Sequence, residues 1–310
     1  MKKTPVVLII YNRPDTTARV FNEIRRYKPT ILYVIADGHK AGDVFDKNMV
    51  DNTRELIKNV DWDCDVRLNY ADTNLGCRIR ICTGLDWVFN QSEKAIILED
   101  DCLPHKDFFA FCDEILNRYQ YEPRIMHVSG SNYLFGKIDI EYSYYFSIYN
   151  HCSGWATWSR AWKYFDPEIK SWPYLKETDF LSNLFDNDKS RTYWESAFQD
   201  VYEKRIDSWA YCWTLACWMN NGLTIIPRHN LITNIGYGLN ATHTKNARSR
   251  FADIPTSPLS FPLIHPVQID RNNDADKITE KINYNRHFIR RVIGALLKTS
   301  FAKHLINYLK

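Results

Sequence analysis

The sequence contains neither of the glycine-rich phosphate loops, G-x-G-x-x-G or G-x-x-x-x-G-K-[ST], so any phosphate it binds must be met by other groups. Its eight cysteines (Cys64, Cys77, Cys82, Cys102, Cys112, Cys152, Cys212, Cys217) form no C-x-x-C pair and no tight cluster with histidine, which argues against zinc. No apolar stretch approaches the length needed to cross a bilayer. Charge of one sign is also missing. The formal net charge of +3 is too small to argue for nucleic acid. The opening Met1–Ile10 imitates a signal peptide, but its apolar run is short. It ends in Asn12-Arg13-Pro14-Asp15 without a small-residue cleavage site. It reads as a first strand, and the expectation is a cytoplasmic protein with reduced thiols.

The 310 residues suffice for one large α/β domain. Aromatic content is high, with ten Trp and nineteen Tyr. Most of these rings are expected in the core, with a weak lean towards sugar faces. Over the first 130 residues, apolar runs at 6–11, 31–36, 66–70, 95–98 and 125–128 alternate with amphipathic stretches at 16–27, 50–60, 79–89 and 107–119. That rhythm predicts a mostly parallel, Rossmann-like sheet flanked by helices.

Each strand hands over to polar residues: Asn12-Arg13, Asp37-Gly38, Asp72-Thr73-Asn74 and Glu99-Asp100-Asp101. In open α/β sheets, ligands bind beyond the carboxyl ends of the strands, so these groups should converge. Three successive acids there repel one another and are costly to desolvate unless a cation joins them. A hard divalent cation, which often carries substrate phosphates as well, fits that need.

Beyond about residue 131 the rhythm breaks. Tyr142–Asn150 is strand-like, 192–204 and 208–219 read as helices, and 224–226 as another strand. A polar, glycine-bearing loop follows at 234–244. The expected organisation is residues 1–130 and 131–250 as two halves of one domain, with a C-terminal extension at 251–310. From Lys281 to Lys310 there are seven Lys or Arg and no acid, with Phe288, Ile289, Val292, Ile293, Leu296 and Leu297 at helical spacing. Such a basic amphipathic helix suits peripheral contact with an anionic membrane, or docking on the protein itself.

Together these pieces resemble nucleotide-sugar-dependent glycosyltransferases of the GT-A fold. The likeness is to bacterial members related to family 2 and, more distantly, to the N-acetylglucosaminyltransferase that initiates complex N-glycans. It covers roughly residues 5–245. Val7-Leu8-Ile9-Ile10-Tyr11-Asn12-Arg13-Pro14 resembles the opening strand and nucleotide-contacting loop, so Asn12 and Arg13 are expected on the donor. By the same resemblance Asp37 meets the base or ribose. Asn74-Leu75-Gly76 and the following helix, with Arg78 and Arg80, help hold the donor, Arg80 being favoured for a diphosphate contact. Glu99-Asp100-Asp101 corresponds to the D-x-D element: Asp101 is implied as direct metal ligand, while Glu99 and Asp100 serve the donor or metal-bound water. Ser153-Gly154-Trp155 resembles the glycine loop beside the donor sugar, and His243 the late histidine of the metal and diphosphate site. Asp207 matches the catalytic base of inverting members. A plainer Glu-Asp pair is common at that point, which leaves Asp207 and Glu203 both open.

The reaction implied is attack by a glycan hydroxyl on the anomeric carbon of a nucleoside-diphosphate sugar, UDP-linked by resemblance. The acceptor would be a growing cell-surface glycan, lipid-linked forms included. The metal stabilises the leaving diphosphate, and a carboxylate takes the hydroxyl proton. Imidazole beside carboxylates suits manganese better than magnesium. Each residue also has a duller reading: Asp207 as a helix cap, Asp37-Gly38 as a turn, Arg78 and Arg80 as surface charges, and Trp155 and Trp158 as core. Two rival functions stand beside this one. One is a metal-dependent phosphohydrolase or nucleotidyltransferase; the other is a non-catalytic nucleotide-sugar-binding module.

Overall fold

The computed structural model describes residues 3–237 and 249–284. Its elements are, in order, β1 (Val6–Ile10), α1 (Pro14–Tyr27), β2 (Ile31–Ala36), α2 (Val44–Glu55), β3 (Asp65–Tyr70), α3 (Cys77–Phe89), β4 (Lys94–Glu99) and β5 (Cys102–Pro104). There follow α4 (Lys106–Arg118), β6 (Ile125–Ser129), β7 (Tyr144–Ser147), β8 (Trp155–Trp158), α5 (Ser159–Trp162), α6 (Trp172–Lys176) and α7 (Phe180–Leu184). The last are α8 (Asp188–Tyr202), α9 (Trp209–Met219), β9 (Leu223–Pro227), β10 (Ile232–Asn234) and α10 (Asn273–Asn283).

Eight strands form one sheet in the order β3-β2-β1-β4-β8-β6-β9-β7, and β5 pairs with β10 in a separate ribbon. The first four pair in parallel, as does β6 with β9, while β8 and β7 run against their neighbours. This is the expected α/β class, a mostly parallel sheet flanked by helices. The strand order runs 3-2-1 and then jumps to 4, so the sheet changes direction of growth between β1 and β4. A crevice opens at such a switch point. The β1–β4 register pairs Ile9 with Glu99, which brings the segment after β1 beside the acids after β4.

The sheet is buried on both faces by the period-two alternation of its strands. Val7 and Ile9 face one apolar cluster and Val6, Leu8 and Ile10 the other. α1 shows how sequence fixes a flanking helix. Pro14 occupies its first turn, Thr17, Val20, Phe21 and Ile24 form the buried stripe, and Arg25 and Arg26 complement the C-terminal dipole. α9 is apolar almost all round because the other helices of its layer enclose it. Seven of the ten tryptophans, Trp155 among them, lie buried in that single cluster. Trp155 and Trp158 are each 1% exposed, so both fill the core and neither offers a face to a sugar.

All eight cysteines are free thiols. Among the described residues no helix is long and apolar enough to cross a membrane. α10 is described, but residues 285–310, which carry most of the expected basic amphipathic helix, lie outside the described residues.

Two histidines are sealed into this core. His127 accepts from Trp213 Nε1 at its Nδ1 (3.1 Å), which leaves Nε2–H to donate to the His151 carbonyl, also at 3.1 Å. Burial pulls both His127 and His151 down to about 3. Their folded-state pKa lies below the unfolded value, so the fold is most stable above pH ~6.5 and loses stability as pH falls towards 3. Each buried histidine contributes about 1.4 kcal/mol per pH unit to that slope. Urea unfolding of His127→Gln between about pH 6 and 4 should show the slope reduced by about that amount. An unchanged slope would contradict the neutral, buried assignment.

Candidate active site

The crevice between β1 and β4 is a cavity of about 310 Å³. Its lining includes Tyr11, Arg13, Asp37, Lys40, Asn74, Cys77, Arg80, Glu99, Asp100, Asp101, Ser153 and Asn234. A larger depression of about 850 Å³ lies between residues 183–189 and α10, remote in sequence from every strand end of the parallel half. Chemistry converges in the smaller cleft.

Its floor is the acidic triplet. Tyr11 N donates to Asp100 Oδ2 at 3.3 Å, tying the end of β1 to the end of β4. Arg13 forks across two of the acids, with an ion pair to Asp100 Oδ1 and a second to Asp101 Oδ2 at 3.0 Å. Burial, together with the charge of its acidic neighbours, pushes the Glu99 carboxyl up. Asp100 is raised by burial as well, against the pull of Arg13. Burial opposes the Arg13 charge, yet Asp100 and Asp101 hold it firmly protonated. Arg13 thus offsets part of the crowding, and the upward shift at Glu99 favours its neutral form.

Asp101 is also gripped from the far side. The β5–β10 ribbon pairs Cys102 with Asn234, and Ile235 N donates to the Asp101 carbonyl at 2.8 Å. The chain then passes so close that a Cβ on Gly236 would collide with the Asp101 carboxylate. His243, the other expected metal ligand, lies outside the described residues. Among the described residues no three His, Cys, Asp or Glu side chains form a metal cage. The donor set at Asp101 suits a hard cation that takes one carboxylate and completes its shell with water and phosphate.

Several expected contacts turn out to be structural. Asp37 is buried, and its carboxylate accepts from Gly38 N (2.9 Å), Leu75 N (2.8 Å), Gly76 N (3.0 Å) and Asn74 Nδ2 (3.2 Å). Those four bonds fill its acceptor sites, so it clamps the 74–76 loop to β2 at the edge of the cleft that it lines. Arg80 lines the cleft and is likewise engaged by the protein. It donates to Ala36 O, Asn69 O, Asn69 Oδ1 and Thr83 Oγ1, four of its five N–H donors, and braces the ends of β2 and β3. Asn12 turns from the cleft lining to donate to Asp46 Oδ1 at 2.6 Å. Gly154 sits behind Ser153 with φ +64°, where any side chain would collide with Ile232. Trp155, beyond it, stacks on Trp209 and His127 in the core.

Asp207 lies just before the N-cap of α9, exposed and paired with Arg78. It is absent from the cleft lining but shares Arg78 with the start of α3, where Cys77 does line the cleft. Ser208, not Asp207, is the N-cap of α9. Glu203 sits at the C-cap of α8, held by Arg205 and by Gln199 Nε2 at 2.6 Å.

No protein-family model and no curated protein matches the chain. Solved structures match it only distantly. S. aureus TarS 1-349 is 11% identical over 74% of this chain and 59% of that one, with a TM-score of 0.43. A cytidylyltransferase from Leptospira borgpetersenii is 12% identical over 70% and 92%, with a TM-score of 0.34. UDP-glucose pyrophosphorylase complexed with UDP-glucose is 12% identical over 46% and 62%, with a TM-score of 0.25. The chain therefore spans less than two thirds of the length of the first and third of these. At such scores none of them decides fold or function, and the cleft itself carries the reading.

Sequence reasoning missed Asp46, the buried organiser of the cleft's outer wall. It accepts from Tyr11 OH (2.7 Å), Asn12 Nδ2 and Lys40 N (2.7 Å). Burial raises it, but those hydrogen bonds prevail and hold it below the usual carboxylate range. Its signal was available. Asp43 caps α2 by accepting from Asp46 N at 2.9 Å, a three-residue spacing typical of helix starts.

The Asp37 clamp makes a direct prediction. Asp37→Asn places an amide NH₂ against donors, leaving backbone N–H groups of the 74–76 loop unpaired. Stability in urea should fall by about 1–3 kcal/mol. An unchanged unfolding midpoint would return Asp37 to the role of a free ligand contact.

Proposed function

We propose that this chain is a metal-assisted glycosyltransferase that moves a sugar from a nucleoside-diphosphate sugar, UDP-linked in the first instance, to a glycan hydroxyl. The observation that carries the reading is the acidic floor at the β1/β4 switch point: Glu99, Asp100 and Asp101 meet in a cleft where Arg13 is the guanidinium paired with two of them. Such a site demands a further cation, and a cation at a strand-end crevice is suited to carrying a diphosphate. Asp101 would hold the divalent metal, manganese by preference, with His243 as its partner by family likeness. The metal supplies Lewis-acid stabilisation of the departing diphosphate.

The chain's own groups do the rest. Arg13 brings positive charge to the phosphates, and Ser153 lines the inner side of the cleft. Lys40 is a second basic group in the lining, its backbone fixed by Asp46. Asp207 is the proposed general base, oriented by Arg78 at the mouth near Cys77. One base acting opposite the leaving group gives in-line displacement and inversion at the anomeric carbon.

Calorimetric titration with a panel of nucleoside diphosphates, with and without manganese, tests the reading. Wild type should bind one of them only with metal, and Asp101→Ala should lose that binding. Binding of none under any metal condition would remove the proposal and favour a phosphohydrolase. The base is tested separately. Asp207→Asn should slow transfer by roughly 10²–10⁴-fold while donor binding survives. Unchanged transfer in Asp207→Asn, with a loss in Glu203→Gln, would move the role to Glu203.

A further inference from the structure

Arg13 is paired with two of the cleft's acids. Its side chain is 23% exposed, while those of Asp100 and Asp101 are 4% and 13% exposed. Partners this enclosed are not released to water without cost, because one charge leaving strands the others. They can be exchanged for another cation. The geometry shows where such an exchange would occur. Asp100 keeps Tyr11 N if Arg13 leaves, whereas among the described residues the carboxylate of Asp101 is otherwise met by the weak Cys102 thiol donor at 3.4 Å. Asp101 is therefore the acid that Arg13 can yield.

The backbone at Arg13 is fixed, so only the side chain needs to move. The Arg13 carbonyl accepts from Thr17 N at 3.0 Å and Thr17 Oγ1 at 2.7 Å, anchoring it to the first turn of α1. A guanidinium stays charged at any physiological pH, and its fork fits a carboxylate and a phosphate equally well.

Resting on the proposed function, we propose that Arg13 is an exchangeable counter-ion. It bridges Asp100 and Asp101; it would yield Asp101 to a divalent cation and turn its guanidinium to the incoming diphosphate. No covalent bond changes. One cation replaces another on a carboxylate, and the displaced one finds an anion delivered with the nucleotide. Metal and diphosphate then favour each other through Arg13 as well as through their own direct contact.

The exchange assigns opposite signs to two bindings when Arg13 is removed. Manganese alone should bind Arg13→Gln roughly tenfold more tightly than wild type, because its competitor is gone. At saturating manganese, uridine diphosphate, with the adenosine, guanosine and cytidine diphosphates in parallel, should bind the variant roughly tenfold more weakly. Arg13→Lys keeps one positive charge to support folding but cannot fork across two acids. It should show both shifts in smaller measure, with thermal unfolding confirming the fold. A fixed strut predicts a different result: nucleotide affinity at saturating manganese unchanged in both variants. That result, or a weakening of both ligands together, would overturn the exchange. If wild type itself binds none of the four nucleotides with manganese, the functional reading fails rather than the role of Arg13.

Discussion

Crowding of negative charge at the end of β4 is the constraint on which the site depends. Glu99 ends β4, whose Ala95–Leu98 are buried, Asp100 and Asp101 follow it, and register places them against the segment leaving β1. Burial and mutual repulsion push Glu99 and Asp100 up. A single guanidinium, Arg13, offsets part of that cost. Apolar groups would pack there at less cost, so acids crowded into a cleft point to chemistry that needs them.

The walls around that floor are held by the same device, a buried carboxylate that gathers backbone N–H groups at a strand end. Asp37 fastens the 74–76 loop and Asp46 fastens Tyr11, Asn12 and Lys40. Arg80 supplies the complement, collecting carbonyls at the ends of β2 and β3. These loops are ordered by side chains because the sheet ladders stop short of them. On the other side, the β5–β10 ribbon presses Gly236 against Asp101. The cleft is rigid where the acids sit. Arg13 is the charged side chain that spans two of those acids.

The parallel half of the fold was legible in the sequence because its strands are long, apolar and separated by strongly periodic helices. Boundaries for β2 and α9 agree within a residue of expectation. β8 was not legible. Its four residues, Trp155–Trp158, are too short to show a period, and they enter the sheet antiparallel from a distant part of the chain. The acidic floor and Arg13 were legible as well, since strand order brings successive strand ends to one edge. The bonds that Asp37, Arg80 and Asn12 make within the protein were not, because a carboxylate that faces a ligand and one that clamps a loop look alike in sequence. Only the count of bonds on each atom separates them. Trp155 misled for a similar reason: an aromatic beside a glycine loop suits a sugar face and a core equally, and burial chose the core.

The central claim is that diphosphate and metal meet at Asp101, between β1 and β4. A crystal structure with manganese and the nucleoside diphosphate that binds best, using the anomalous signal of manganese, tests it most directly. The account predicts the manganese peak on the Asp101 carboxylate, with the diphosphate spanning from it towards Arg13. A manganese peak away from Asp101, or nucleotide seated in the depression between residues 183–189 and α10, would contradict it.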